Sequence, residues 1–176
     1  MTRAEFLLLL CLAPSACSNE GGHIDCDFPV GKPDAEAYYD AQAYGRNEHL
    51  GSDWNGVGGG HTDLGDPVFA MADGVVTQVH DFQGGWGRVV RVVHSLDNGA
   101  KLESLYAHLD SFLVKKGATV RRGEQLGTIG TAHGQYWAHL HFELRTAIGA
   151  DIGGGYGLPE QGQVDPTAFI KAHRPK

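Results

Sequence analysis

The chain has 176 residues, enough for one domain with a hydrophobic core and short for two. Hydrophobic residues make up 41% and charged residues 20%, the balance of a folded protein rather than a disordered one. A formal net charge of -7 argues against a nucleic-acid partner, because phosphate binding needs clustered Lys and Arg.

In chain order, residues 1–16 read as an export signal. Arg3 precedes an apolar run from Phe6 to Ala13 that is too short to span a bilayer as a helix. Ser15 and Ala16 then lead to Cys17, an arrangement resembling a bacterial lipoprotein cleavage site, although Pro14 stands where such sites usually carry Leu. Cys17 is therefore either lipid-bearing, which would attach the protein to a membrane, or a disulfide partner of Cys26 in an oxidising compartment. Both readings put the protein outside the cytoplasm, in the cell envelope or secreted. Residues 17–26 are expected as a tether, 27–172 as the domain and 173–176 as a tail.

The segment Asp34 to Tyr44 has a weak helical pattern cut off by Gly45, and is expected as a short helix or loop. The glycines between Trp54 and Gly65 predict a long loop. Strands are predicted at Gly74–His80, Arg88–His94, Lys101–Leu109 and Gly127–Gly130, each short, β-branched and bounded by turn residues. With 26 glycines to supply turns, the pattern implies a mostly β fold of antiparallel strands.

The chemistry concentrates in the histidines, of which there are 10. In His139–Arg145 (HLHFELR), strand alternation puts Leu140, Phe142 and Leu144 on one face and His139, His141, Glu143 and Arg145 on the other. Two imidazoles side by side on a rigid strand suit one metal ligand and one acid-base group. The bland alternative is a solvated strand face. In His49-Leu50-Gly51-Ser52-Asp53 an imidazole and a carboxylate stand four apart and can converge on one ion. With His141 they offer two nitrogens and one oxygen and leave the fourth tetrahedral position to water, as in catalytic zinc sites. Tyr106 and His108 are two apart at the end of a predicted strand and are expected to share a face.

The ordered set HLGSD (49–53), GDPVFAMADGVV (65–76), GWGRVVRVVH (85–94), YAHL (106–109), GATVRRGEQLGTIG (117–130), HLHFE (139–143) and VDPTAFI (164–170) resembles the lysostaphin-type peptidoglycan metalloendopeptidases, the family that includes LytM. The resemblance runs from about Phe28 to about Ile170. It implies a β-sandwich, duplicated-hybrid-motif-like, with long loops around a groove. It also implies His49, Asp53 and His141 as ligands of one Zn2+ per chain, His108 and His139 as the catalytic pair, and a peptidoglycan peptide as substrate. Two segments depart from the family pattern: the loop Trp54–Leu64 is longer, and Thr131–Ala138 (TAHGQYWA) replaces a small, Ser/Thr/Gly-rich approach to the His-x-His strand. His61 and His133 in these segments are expected to face solvent or substrate rather than a metal.

No H-E-x-x-H helix is present, so an imidazole rather than that motif's glutamate has to move the proton. Either His108 or His139 can take that role, and Glu143 is read either as a partner orienting one histidine or as a solvent-facing carboxylate. A non-catalytic wall-binding or hydrolase-regulating module of the same fold is the alternative function. Carrier domains of the biotinyl and lipoyl type share the ADGVV and GATVRRGEQLG hairpin pattern, but no lysine suited to modification lies between these segments.

Overall fold

The computed structural model describes residues 22–175. Ten strands and one α-helix are found among them: β1 (Tyr38–Gln42), β2 (Ser52–Gly56), β3 (Pro67–Phe69), β4 (Gly74–Asp81), β5 (Arg88–Ser95), β6 (Lys101–Phe112), β7 (Thr119–Val120), β8 (Gln125–Ile129), β9 (Leu140–Arg145), β10 (Gln163–Val164) and α1 (Pro166–Ala172). Every pairing is antiparallel, in the order β1-β2-β9-β6-β5-β4-β7, with β10 added to β9 and the β3–β8 pair joined to the far end of β6. The mostly antiparallel β expectation holds, and the four predicted strands are β4, β5, β6 and β8.

Strand β6 is the hub. Its residues Glu103–Ala107 pair with β9, and beyond a bulge at His108 its end pairs with β8. Val68, Leu126 and Ile129 of the β3–β8 ribbon thereby fold onto Val76, Val90, Val92, Tyr106 and Phe142 in one buried core. Leu140, Phe142 and Leu144 are fully buried there, as the alternation of β9 implies, each stabilising the fold by roughly 1.5–3 kcal/mol.

The opposite face of β9 is not solvated. His141, Glu143 and Arg145 are also buried, because the 149–155 segment lies over them. Two buried arginines hold that segment. Arg91 Nη1 donates to Ala150 O (2.8 Å), and Arg145 donates to Asp151 O (3.0 Å) and Ile152 O (2.7 Å). Glu103 accepts from Gly149 N (3.1 Å) and Trp86 Nε1 donates to Gly153 O (2.9 Å). Each arginine is paired with a buried glutamate, Arg91 with Glu103 and Arg145 with Glu143, which meets the requirement that a buried charge be compensated.

Three local expectations are corrected. Residues 38–42 form β1 rather than a helix or loop, because pairing with β2 supplies the backbone hydrogen bonds that a short amphipathic run cannot supply alone. The long loop begins at Val57 rather than Trp54: Trp54 is a buried strand residue edge-on to Phe28 (5.2 Å), and Gly56 N donates to Asp63 (2.9 Å). Tyr106 and His108 lie on opposite faces. His108 has φ 62°, and this left-handed residue in the bulge turns its ring away from the core that Tyr106 occupies.

The export signal and Cys17 lie outside the described residues. Within the segment expected as a tether, Cys26 is buried, its N and Sγ both donate to His173 O, and burial pushes its thiol up to about 12. No helix among the described residues is long and apolar enough to cross a membrane.

One core histidine carries a stability prediction. His94 is fully buried between Asp73 O (2.9 Å) and Ser104 Oγ (2.7 Å), and burial depresses its ring from 6.5 to about 4. The unfolded chain therefore takes up a proton near pH 6.5 that the folded chain refuses until about pH 4. Its contribution is whole above pH 6.5 and is lost as pH falls to 4, at most about 3 kcal/mol. The urea midpoint of the wild type is expected to fall further between pH 7 and 4 than that of His94→Gln; equal falls would refute the assignment.

Candidate metal centre and its cleft

Adjacent strands β2 and β9 bring the site together. Asp53 stands directly opposite His141 in their ladder, while His49 enters from the turn before β2 and bridges to Tyr156. That turn uses left-handed residues at Gly45, Asn47 and Glu48. Gly51 is needed for a different reason: a Cβ there would stand 2.6 Å from Phe142 O and 3.0 Å from His141 Cε1. Glycine thus lets the His49–Asp53 segment lie flat on β9.

His49 Nε2 is 3.1 Å from His141 Nδ1 and 3.3 Å from Asp53 Oδ1, and His141 Nδ1 is 2.9 Å from the same oxygen. His49, Asp53 and His141 form a group whose ligand atoms lie within 4.8 Å of one another. The outward nitrogens fix the tautomers. Gln42 O accepts from His49 Nδ1 (2.9 Å) and Glu143 Oε1 accepts from His141 Nε2 (2.9 Å), so the inward atoms of both rings are lone-pair nitrogens in the neutral imidazoles. Two lone pairs and a carboxylate oxygen at this spacing repel unless a cation lies between them, and neutral imidazole with carboxylate is a donor set suited to zinc. The residues therefore fit a divalent metal.

A proton can occupy the same point. Burial would lower His141, but hydrogen bonds to Asp53 and Glu143 outweigh it and raise the ring to about 9. Burial would likewise raise the Asp53 carboxyl, but hydrogen bonds from His141 and His49 hold it well below the usual carboxylate range. Behind the three candidate ligands, Glu143 Oε2 accepts from Arg145 Nε at 2.7 Å, so a fixed guanidinium orients the carboxylate that orients His141. Of the two readings of Glu143, the orienting partner is the one its complete burial supports.

The other two histidines stand beside this group. The His108 and His139 ring centroids are 4.7 Å apart, His108 is 5.5 Å from His141, and His139 Nε2 is 3.8 Å from Asp53 Oδ1. Each is tied back through Nδ1 to a carbonyl, His108 to Trp86 O (3.3 Å) and His139 to Trp137 O (2.8 Å), which leaves both Nε2 atoms as acceptors. Burial, with the charges of His141 and His139, pushes His108 well below 6.5, so it is neutral at neutral pH. All five residues singled out in the sequence thus meet in one place. His61 and His133 do not join them: His61 stacks on Trp137 and His133 bonds Asp81 (3.0 Å).

The cleft over the site has a volume of about 490 Å³. Its walls include four side chains that sequence reasoning did not single out: Gln42, Trp86, Tyr136 and Tyr156. Trp86 packs edge-on to His141 (5.3 Å), Tyr156 lies 5.1 Å from His49 and accepts from Gln42 Nε2 (3.1 Å), and Tyr136 lies 5.0 Å from His108. Tyr136 falls in the segment that departs from the family pattern, which was its one available signal. Tyr156 follows a glycine run, and nothing local in the sequence distinguishes Gln42.

The model of peptidase family M23 matches residues 49–164. The DD-carboxypeptidase/endopeptidase Mpg of Neisseria meningitidis serogroup B is 43% identical over 109 residues, 60% of this chain and 24% of that protein. The peptidoglycan DD-endopeptidase ShyA of Vibrio cholerae is 37% identical over 83 residues, 46% of this chain and 18% of that protein. This chain thus spans a quarter or less of the length of these curated relatives. Among solved structures, the catalytic domain of the antimicrobial peptidase lysostaphin from Staphylococcus simulans shares the fold, with a TM-score of 0.59 and 22% identity over 78% of this chain and 95% of that one.

Proposed function

This chain belongs to peptidase family M23, and from that premise we propose that it is a zinc-dependent endopeptidase that hydrolyses peptide bonds in the stem or cross-link peptides of bacterial peptidoglycan. The observation that carries the reading is the meeting of two lone-pair imidazole nitrogens and one carboxylate oxygen on a rigid pair of strands, with two further imidazoles beside them. The named activity of the relatives supports the substrate class.

His49 Nε2, His141 Nδ1 and Asp53 would hold the ion, one per chain. When bound, zinc would supply Lewis acidity, lowering the pKa of water to about 7 and polarising a carbonyl. The chain's own residues do the rest. His108 and His139 divide the proton handling at their Nε2 atoms: one accepts the proton of the attacking water and passes it to the leaving amine, and the other stabilises the charge that develops on the carbonyl oxygen. The carbonyls of Trp86 and Trp137 hold each ring through Nδ1 and turn Nε2 toward the site; the ring that takes the proton of water uses the lone pair there, whereas the ring that stabilises the oxyanion does so only when Nε2 carries a proton as well. Gln42, Trp86, Tyr136 and Tyr156 confine the substrate backbone and exclude bulk water. The charged, apolar and small-residue pattern of residues 1–16 supports export to the cell envelope, where this substrate lies.

The test is digestion of purified sacculi. Soluble muropeptides are expected from the metal-loaded chain, none after chelation, and recovery on return of Zn2+. Identical profiles in all three conditions would rule out the proposal.

A further inference from the structure

The face of the sheet that carries Asp53 continues beyond the cleft. On β2 the next residue on that face is Asn55, two positions on, and its partner on β1 is Tyr39. Tyr39 is 49% exposed, although its neighbour Tyr38 turns the other way and packs against the core. On the other side of Asn55, its Nδ2 reaches Ala138 O (3.5 Å), next to Trp137, which is 68% exposed.

Trp137 is exposed but not loose. Ala138 N donates to His61 Nδ1 (3.3 Å), the rings of His61 and Trp137 stack at 5.9 Å, and a Cβ on Gly60 would lie 3.6 Å from the indole. The two segments that depart from the family pattern, Trp54–Leu64 and Thr131–Ala138, are therefore docked on each other through Gly60 and His61 and present this indole together. The Trp137 carbonyl in turn holds His139, so the exposed ring stands at a fixed place relative to the reactive group.

We propose that Trp137, Asn55 and Tyr39 form a subsite for a saccharide unit of the glycan strand to which the scissile peptide is attached. The proposal rests on the peptidoglycan reading given above. Two aromatic faces flanking a carboxamide suit a sugar: the rings stack on its C–H faces, and the amide bonds its hydroxyl or acetamido groups. Tyr39 and Asn55 stand one strand spacing, about 5 Å, apart, and Trp137 is the residue before the carbonyl that Asn55 approaches. None of the three side chains is charged, which matches a neutral sugar better than a stem peptide bearing carboxylates. The preformed shelf binds one part of the polymer so that another part reaches the metal centre in register.

The probe is chitotetraose, titrated into the full chain while its tryptophan fluorescence is followed, beside hydrolysis of intact sacculi and of a glycan-free cross-linked peptide. Saturable quenching is expected for the wild type, lost in Trp137→Ala and restored in part by Trp137→Phe when binding is read by calorimetry. Tyr39→Ala is expected to raise KM for sacculi about tenfold and to leave the rate on the glycan-free peptide within about twofold. No binding of chitotetraose, or equal loss on both substrates, overturns the subsite. A chain that cleaves neither substrate yet binds the saccharide through Trp137 refutes the hydrolase reading and leaves the subsite standing.

Discussion

Alanine at His108 or His139 is expected to lower kcat on a cross-linked wall peptide by about 10²–10⁴-fold while metal content stays at one per chain. The two rings lie beside the three-residue metal group rather than in it, and each is anchored by a backbone carbonyl that survives substitution. Neither change therefore disturbs the ligands. The double variant should lose little more than the worse single one, because proton acceptance and charge stabilisation serve one transition state and their effects do not add. Turnover by steady-state assay, with metal analysis of the same samples, checks this. Loss of metal in step with activity would mean that His108 or His139 acts as a ligand instead.

The second large effect separates holding the metal from orienting its holder. Asp53→Ala removes the charged member of the proposed ligand set and is expected to abolish stoichiometric zinc uptake. Glu143→Gln leaves all three ligands but weakens the acceptor that fixes His141 Nε2, and should lower zinc affinity about 10–100-fold. It also leaves the Arg145 guanidinium without its buried carboxylate partner, at a cost of about 3–5 kcal/mol. Competition with a chromophoric chelator measures the affinities, and thermal unfolding of the metal-free forms measures the second cost. Unchanged affinity in Glu143→Gln would make that residue a purely structural partner of Arg145.

The strands were legible because burial imposes period two. GVVTQVH and RVVRVVH announce β4 and β5, and HLHFELR sorts itself so cleanly that Leu140, Phe142 and Leu144 could be assigned to the core without coordinates. Strand β1 was not legible, because YYDAQ has no pronounced pattern and becomes a strand only when β2 lies beside it. The side on which His108 falls was misread, since alternation assumes an unbroken strand and the bulge with a left-handed residue breaks it.

The sequence by itself determined the candidate ligand types and their spacing: imidazole and carboxylate four apart near residue 50, and two imidazoles on one strand face. These are local facts, fixed by side-chain chemistry and strand geometry. Only the tertiary structure decided which nitrogen of each ring turns inward, that Glu143 is sealed between His141 and Arg145, and that Tyr136, Tyr156 and Gln42 wall the cleft. The physical reason is that hydrogen-bond partners and burial arise from segments far apart in the chain, here 42, 86, 137 and 149–155, and no local pattern records who a side chain's neighbours will be.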